Sequence, residues 1–270
     1  MKNIYIPDNV KNSYEEIANK NYKGYILKDL KPYITEAELE NPDLIFNREG
    51  TRFIKESRNA LSEIKLGDGK SYIFKKFSNR GLINRIKNTF RTSKGVKGLN
   101  KAFMLLEAGL QTPRPLLMLE KKKFGLLCRS YLLVEYIDGA VQLREILTHF
   151  RKAHTDWQGI EKFDFLAQLA EYVGTMHRAG ICHRDLSGGN VLVKVMEGKP
   201  IFELIDINRC RIRNPITPSM RLKDLERIHI VPEEREFFLE KYCGNKELFD
   251  LLKDDYLRRI DKYRTKRERK

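Results

Sequence analysis

His183-Arg184-Asp185-Leu186-Ser187-Gly188-Gly189-Asn190 is the stretch that decides how this chain is read. Asp185 and Asn190 lie in a loop that leaves the long amphipathic stretch Phe163–Ala179 and enters the strand-like Val191–Val195. After the turn Glu197-Gly198-Lys199-Pro200 and a second strand, Phe202–Ile205, comes Asp206, in Leu204-Ile205-Asp206-Ile207-Asn208. Phosphoryl transfer from ATP requires a carboxylate that orients the attacking hydroxyl and accepts its proton. It also requires oxygen ligands that hold Mg²⁺ against the phosphates, and a cation on the phosphate tail. Asp185 fits the first task, and Asn190 and Asp206 fit the second. Asp185 as a helix-end cap or salt-bridge partner is the plainer alternative, and it leaves the joint spacing unexplained.

Each triplet alone recurs by chance, but the order of loop, strand, turn, strand and Asp is the kinase signature. His177 and His183 sit where kinase-like folds use His to bond the backbone around the catalytic loop, so a direct acid–base role is the lesser expectation. The cation comes from the first half, in Tyr72-Ile73-Phe74-Lys75-Lys76-Phe77, which resembles the third strand of a kinase small lobe. Lys75 and Lys76 point to opposite faces of such a strand, and Lys75 is favoured because it directly follows the apolar run. Its usual Glu partner is in question: Glu107 stands too close to the end of the predicted helix Lys101–Ala108, and Asn100 is the other candidate. The phosphate loop carries no glycine. Between the first two strands stands Glu56-Ser57-Arg58-Asn59-Ala60, where Ser57, Arg58 and Asn59 are the candidate phosphate contacts, through side chains and backbone N–H groups. Glu135 and Ile137, at the end of the apolar strand Ser130–Tyr136, are placed to offer a carbonyl and an N–H to the adenine edge, or form a simple strand end.

Outward from these motifs the elements order themselves. Thr51–Lys55, Leu61–Leu66 and Ser71–Phe77 read as strands, the last two joined through Gly67-Asp68-Gly69. Leu82, Ile83, Ile86 and Phe90 recur at helical spacing, with Arg80, Arg85, Lys87 and Arg91 between them. Thr112-Pro113-Arg114-Pro115 is extended, Leu143–Phe150 helical, and the chain is helical again from Leu222. Residues 1–50 are polar, with helical hints at Tyr14–Lys20 and Thr35–Glu40. The expected fold is α+β and bilobal, protein-kinase-like. Residues 1–50 form an N-terminal extension packed on the small lobe, 51–136 a small antiparallel β-sheet lobe that binds nucleotide, and 137–270 a larger, mainly helical catalytic and substrate lobe.

The bulk properties fit one such globular body of 270 residues, with 41% hydrophobic residues and no low-complexity tract. No apolar run reaches the ~18 residues that span a bilayer, and Met1–Asp8 lacks the apolar core of a signal peptide. The expected location is the cytoplasm. Cys128, Cys182, Cys210 and Cys243 form no CxxC pair and are expected as free thiols rather than metal ligands or disulfides. Fifty-two basic residues against thirty-seven acidic leave a net charge of +15 and a pI near 9.6. That balance suits an anionic partner or a merely solvated basic surface, and charge alone does not separate them.

Several segments together resemble the lipopolysaccharide sugar kinases of the Kdo/WaaP family. They are Phe77-Ser78-Asn79-Arg80-Gly81-Leu82-Ile83, Leu105–Pro115 (Leu-Leu-Glu-Ala-Gly-Leu-Gln-Thr-Pro-Arg-Pro), the catalytic loop, Leu204–Arg209, and Leu222-Lys223-Asp224-Leu225-Glu226-Arg227. The similarity runs over roughly residues 50–245. It implies ATP- and Mg²⁺-dependent phosphorylation of a Kdo or heptose hydroxyl on lipid A–core glycolipid, at the cytoplasmic face of the inner membrane.

Independent of that resemblance, the residues favour a non-protein acceptor. Ser187 stands where protein Ser/Thr kinases carry Lys, Ile207-Asn208 replaces Phe-Gly, and Arg209–Leu222 is too short for a peptide platform. Arg209, Arg211, Arg213 and Arg221 bring positive charge below the loop and are expected to bind a phosphorylated, acidic substrate, unless they pair with the chain's own carboxylates. The Arg80–Arg91 stripe and the basic tail fit peripheral contact with an anionic inner-membrane surface; packing of the stripe on the protein's own core is the alternative. Nucleic acid is not an expected partner. Three other readings remain: a small-molecule kinase of aminoglycoside-phosphotransferase type, an atypical protein kinase, and a pseudokinase-type binding module.

Overall fold

The computed structural model of the chain describes residues 4–55, 59–79, 81–152, 154–213 and 215–268. These fall into two compact units, Met1–Glu107 with Pro113–Ile137, and Ala108–Thr112 with Asp138–Lys270.

The first unit opens with the one-turn helix α1 (Asp8–Lys11) and the hairpin of β1 (Tyr14–Ala18) and β2 (Tyr22–Leu27). Helix-forming side chains over Tyr14–Lys20 suggest a helix, but the segment is a strand. Tyr14 and Ile17 are buried in the unit's apolar clusters, and β2 supplies the ladder, so tertiary pairing overrides local preference. Helix α2 (Glu36–Glu40) sits where one is expected, closed by a capping box between Thr35 and Glu38. Then follow β3 (Arg52–Lys55), β4 (Asn59–Lys65), β5 (Ser71–Ser78), α3 (Leu82–Thr89), α4 (Lys94–Glu107), β6 (Pro115–Lys123) and β7 (Leu126–Glu135).

Among the described residues seven strands make one antiparallel sheet in the order β1-β2-β6-β7-β5-β4-β3. Its faces are covered differently. Leu30, Ile34, Leu39, Ile45 and Phe46 close over Ile64, Phe74, Leu117, Tyr131 and Leu133 on one side. On the other, Val96, Leu99 and Phe103 of α4 pack on Met118, Leu132 and Val134, with Ile73 and Phe77 beside them. Alternation along β5 therefore separates Lys75, on the α4 face with Ile73 and Phe77, from Lys76, on the face of Phe46 and Phe74. Helix α4 begins well before Lys101. Gly95 and Gly98 hide its first turns from a propensity reading, yet a Cβ at Gly95 would stand 3.1 Å from the Tyr131 carbonyl, so glycine permits the close approach to β7.

The second unit contains β8 (Val141–Gln142), α5 (Leu143–Arg151), the short hairpin β9 (Asp156–Trp157) and β10 (Ile160–Glu161), and α6 (Lys162–Arg178). The carboxylate of Glu161 caps α6 by accepting the N–H of Phe163 at 2.7 Å and of Asp164 at 3.1 Å. Helix α6 buries Phe165, Leu166, Leu169, Val173 and Met176. Then come β11 (Ile181–Cys182), β12 (Val191–Met196), β13 (Lys199–Leu204), β14 (Arg211–Ile212), α7 (Pro218–Leu225), α8 (Arg235–Cys243) and α9 (Lys246–Glu268). Strands β8, β12 and β13 form a small sheet, and β11 pairs with β14. Gln111 and Thr112 belong to this unit: Leu204 N–H donates to Gln111 O at 2.9 Å, and Thr112 Oγ1 donates to Leu204 O at 2.7 Å. No helix among the described residues is long and apolar enough to cross a membrane.

Candidate active site

The loop between β11 and β12 is fixed by backbone bonds before any side chain acts. Ser187 N–H donates to Asp185 O at 2.7 Å, Asn190 N–H to Ser187 O at 2.8 Å, and Asn190 Nδ2 to Asp185 O at 2.8 Å. Gly188 lies against the start of α5, where Arg144 N–H donates to its carbonyl at 2.9 Å; a Cβ there would meet Arg144 N at 2.8 Å. Arg184 and Asp206 both hold left-handed backbone, at φ 66° and 52°, a conformation non-glycine residues adopt at a cost and often where a site requires it.

Asp185, Asn190 and Asp206 are brought together on neighbouring backbone. Ile205 N–H donates to Asn190 O at 3.0 Å, and Asp206 follows directly. Because Asn190 spends Nδ2 on the loop, its Oδ1 is the atom left for a ligand. Asp206 is exposed and uses no side-chain oxygen to cap the 3-10 turn Ile207–Arg209. Two hard oxygen donors on adjoining strand ends suit Mg²⁺, so the residues present fit that ion.

A buried network holds the loop from below. Asp224, on α7, accepts the N–H of His183 and of Arg184, both at 2.7 Å. His177 Nε2 lies 3.3 Å from Asp224 Oδ2, and its Nδ1 lies 2.7 Å from the Tyr242 hydroxyl, which also accepts from Arg221 at 3.0 Å. A guanidinium only donates and a carboxylate only accepts, so with the ring neutral Arg221 donates to Tyr242, Tyr242 to His177, and His177 to Asp224. Burial pushes His177 and His183 below the ordinary imidazole value and Tyr242 above the ordinary phenol value. His183 Nε2 faces the Ile205 carbonyl at 3.0 Å and so bonds backbone, as its position suggests; His177 acts one step removed, through Asp224. Arg221, expected among the substrate arginines, is instead turned inward to Tyr242. His177, Cys182 and Asp224 also stand close enough to hold a metal ion. Their chemistry argues against one: both ring nitrogens and the carboxylate are engaged, and burial pushes the Cys182 thiol up to about 11. All four cysteines are free.

Both oxygens of Asp185 meet guanidinium groups, Oδ1 with Arg227 Nη1 at 2.6 Å and Oδ2 with Arg209 Nη1 at 3.0 Å. Arg211 and Arg213 are exposed, with Arg213 N–H bonded to Gly180 O at 2.7 Å. Asp224 and Arg227 carry no chemical role in a reading of spacing alone. Their signal is the segment Leu222–Arg227, quoted above only for resemblance.

In the first unit Lys76 pairs with Asp43 at 3.0 Å and lies over Phe46, while Arg129 and Tyr131 also bond Asp43. Lys75 stands on the opposite face, in register with Leu61 and Leu132. The Tyr5 hydroxyl donates to Glu107, and Tyr5 N–H donates to Asn100 Oδ1 at 3.0 Å. Glu135 N–H donates to Arg114 O, and its carboxylate accepts the Arg114 N–H, each at 3.1 Å; Ile137 follows, half-buried. Ser57 and Arg58 lie outside the described residues, as does Arg80 of the Phe77–Ile83 segment.

Comparison with known proteins follows the same lines. The sequence profile described as the lipopolysaccharide kinase (Kdo/WaaP) family matches residues 47–269. A 3-deoxy-D-manno-octulosonic acid kinase of Pasteurella multocida is 29% identical over 153 residues, covering 55% of this chain and 59% of that protein. Its counterpart in Photobacterium profundum is 30% identical over 125 residues, covering 46% of this chain and 47% of that protein. The chain thus spans about half the length of the curated relatives it matches. A solved structure of WaaP in complex with acyl carrier protein superposes with a TM-score of 0.61 at 18% identity, over 94% of this chain and 98% of that one, so the two share a fold.

Proposed function

The chain belongs to the lipopolysaccharide kinase (Kdo/WaaP) family, and from that membership we propose that it transfers the γ-phosphoryl group of ATP to a sugar hydroxyl, of Kdo or heptose, in the lipopolysaccharide inner core. The observation that carries this reading is the convergence of Asp185, Asn190 and Asp206 on bonded backbone, with arginines at the carboxylate of the base.

In this mechanism Asp185 orients the acceptor hydroxyl and takes its proton as the oxygen bonds to the γ-phosphorus and ADP leaves. Positioning supplies most of the rate in such a transfer, so a carboxylate held in place serves well even as a weak base. Asn190 Oδ1 and the Asp206 carboxylate would hold Mg²⁺, which, when bound, neutralises charge on the phosphates. Lys75 is the cation for the α/β-phosphates; the tie of Lys76 to Asp43 on the other face supports that choice. Glu135 and Ile137 are the adenine contacts, Ser57 and Arg58 further phosphate contacts, and Arg209, Arg211 and Arg213 the side chains that bind the acidic acceptor. In domain terms, residues 51–136, with β1 and β2 of 1–50 adding to the same sheet rather than packing on it as an extension, handle the nucleotide, and 137–270 the acceptor.

We place the reaction at the cytoplasmic face of the inner membrane. Ile83 and Ile86 on α3 and Phe90 just after it stay solvent-exposed, with Phe90 at 70%, beside exposed Lys87 and Arg91. That combination favours an anionic bilayer surface over packing on the protein's own core.

The deciding experiment is transfer of labelled γ-phosphate from Mg-ATP to Kdo–lipid A or core oligosaccharide by the purified chain. Transfer to peptides but not to glycolipid would overturn the acceptor assignment. Sedimentation with phosphatidylglycerol vesicles should weaken as salt rises, and absence of binding at every salt concentration rejects the membrane site.

A further inference from the structure

The two guanidinium groups on Asp185 are held very differently. Arg227 follows α7, donates its backbone N–H to Asp224 O at 3.2 Å, and has a side chain 30% exposed. Its partner, the Asp185 side chain, is 22% exposed, so this pair is largely withdrawn from water. Arg209 ends the short turn after Asp206, and its side chain is 66% exposed. An ion pair on so exposed an arm is weak and exchanges readily with other anions, whereas the half-buried pair persists. Each carboxylate oxygen has two lone pairs, so one N–H donor per oxygen still leaves a site on each, and an incoming hydroxyl shares its oxygen with the guanidinium already there. With Arg227 fixed on Oδ1, the exchangeable oxygen is Oδ2.

We propose that Arg209 is an acceptor-operated switch. Without acceptor its guanidinium pairs with Asp185 Oδ2. An anionic group next to the reacting hydroxyl, a carboxylate or a phosphate, draws the guanidinium onto itself and frees Oδ2 for the hydroxyl proton. Arg227 is the positioning residue that keeps Oδ1, and hence the carboxylate plane, in place throughout. The inference rests on the proposed acidic-sugar acceptor and specifies what that acceptor must carry. The step balances: the hydroxyl proton passes to Oδ2 as the acceptor oxygen bonds to the γ-phosphorus. The bond from that phosphorus to the β–γ bridging oxygen breaks, ADP leaves, and Asp185 returns the proton to water. A neutral sugar lacks the group that moves Arg209, so its hydroxyl has to share Oδ2 with the guanidinium. Selectivity for acidic acceptors is then built into the base itself, beyond any contact made elsewhere.

A static ion pair and a switch differ in one measurable respect: in a switch, Asp185 competes with the acceptor's anion for Arg209. Binding is measured by calorimetry on the full chain with two probes, 3-deoxy-D-manno-octulosonate as the carboxylate and inorganic phosphate. Asp185→Asn removes the competitor, so at least one probe should bind roughly two- to fivefold tighter, the range set by an exposed ion pair. Arg209→Gln should weaken that probe about tenfold through loss of a charge-assisted hydrogen bond. In the double variant Asp185→Asn should give no tightening. The probe that tightens names the anion. Equal or weaker binding of both probes to Asp185→Asn overturns the switch, and so does the same tightening in the Arg209→Gln background. Melting temperatures of the three variants establish that each is folded. Phosphoryl transfer to Kdo–lipid A is scored separately: tightening without transfer sustains the switch and rejects only the acceptor reading.

Discussion

Asp224 Oδ2 accepts the backbone N–H of His183 at 2.7 Å, which ties the end of α7 to the catalytic loop 41 residues earlier. Asp224 is fully buried, and its other oxygen takes the N–H of Arg184. Its carboxylate therefore sets the loop conformation from which Asp185 projects. Asp224→Ala strands two backbone donors and the His177 Nε2–H in the interior, and should cost about 3–5 kcal/mol of stability, as removal of one buried charged partner does. Asp224→Asn keeps the shape but offers only one accepting oxygen, so it should keep the fold while kcat falls about a hundredfold with KM for ATP little changed. Urea unfolding and initial-rate kinetics separate the two effects.

Asp185 itself is half-buried with one guanidinium N–H on each oxygen, and its replacement is expected to remove function more than fold. Asp185→Ala should lower phosphoryl transfer by about 10²–10⁴-fold, the range for loss of a general base, while nucleotide still binds. Fluorescent-nucleotide titration next to a radiolabel transfer assay measures both. Loss of nucleotide binding together with transfer would assign Asp185 to the phosphate site instead.

Much of this centre is legible in the sequence because it is local. Asp185, Asn190 and Asp206 lie within one loop-strand-turn-strand unit, and periodicity alone places that unit. Asp224 and Arg227 are not legible in the same way, since their partners lie about 40 residues away in sequence and no period or spacing encodes a contact of that range. The strand Pro115–Lys123 escapes for another reason. As an interior strand of the sheet it buries Leu116, Leu117, Met118 and Leu119 in succession, and the polar–apolar alternation that marks a half-exposed strand is absent. Tyr14–Ala18 misleads in the opposite sense: its glutamates favour a helix, and only pairing with β2 makes it a strand.

Lys75 and Lys76 offer a test internal to one strand. Lys76→Met removes the cation paired with Asp43, a pair of side chains 23% and 28% exposed, and should cost stability by about 1 kcal/mol without a selective effect on ATP. Lys75→Met should instead raise KM for ATP or abolish turnover. A reversal of these phenotypes would move the phosphate cation to Lys76.

Gly188 makes a steric prediction. Its missing Cβ would lie 2.8 Å from Arg144 N and 3.0 Å from Arg144 Cα, both backbone atoms that cannot rotate away. Gly188→Ala should therefore push the catalytic loop off α5 and cost about 1–3 kcal/mol, with activity falling in parallel. Gly189→Ala is the control: its Cβ would meet nothing nearer than Gln142 Oε1 at 3.6 Å, and its effect on melting should be small.

The pH dependence of stability follows from His177 and His183. Both are buried, and burial lowers their folded values beneath the reference 6.5. A group with a depressed imidazole pKa stays neutral in the folded chain while the unfolded chain binds a proton below about 6.5. The unfolded state then carries more protons, so folding stability is complete above that pH and declines as the solution is acidified toward the folded values. The slope is at most about 1.4 kcal/mol per pH unit for each histidine. Other groups titrate in the same range, so the informative quantity is a difference: chemical denaturation of wild type and of His177→Gln at pH 7.5 and 5.5. The variant loses the His177–Asp224 bond and should be less stable at pH 7.5, with a smaller further loss on acidification. An equal loss in both proteins would mean that His177 titrates alike in the folded and unfolded chain, and a smaller loss in wild type than in the variant would mean that His177 is held in the fold as an imidazolium by Asp224. The Tyr242 hydroxyl would then face a ring nitrogen with no lone pair to accept its hydrogen bond.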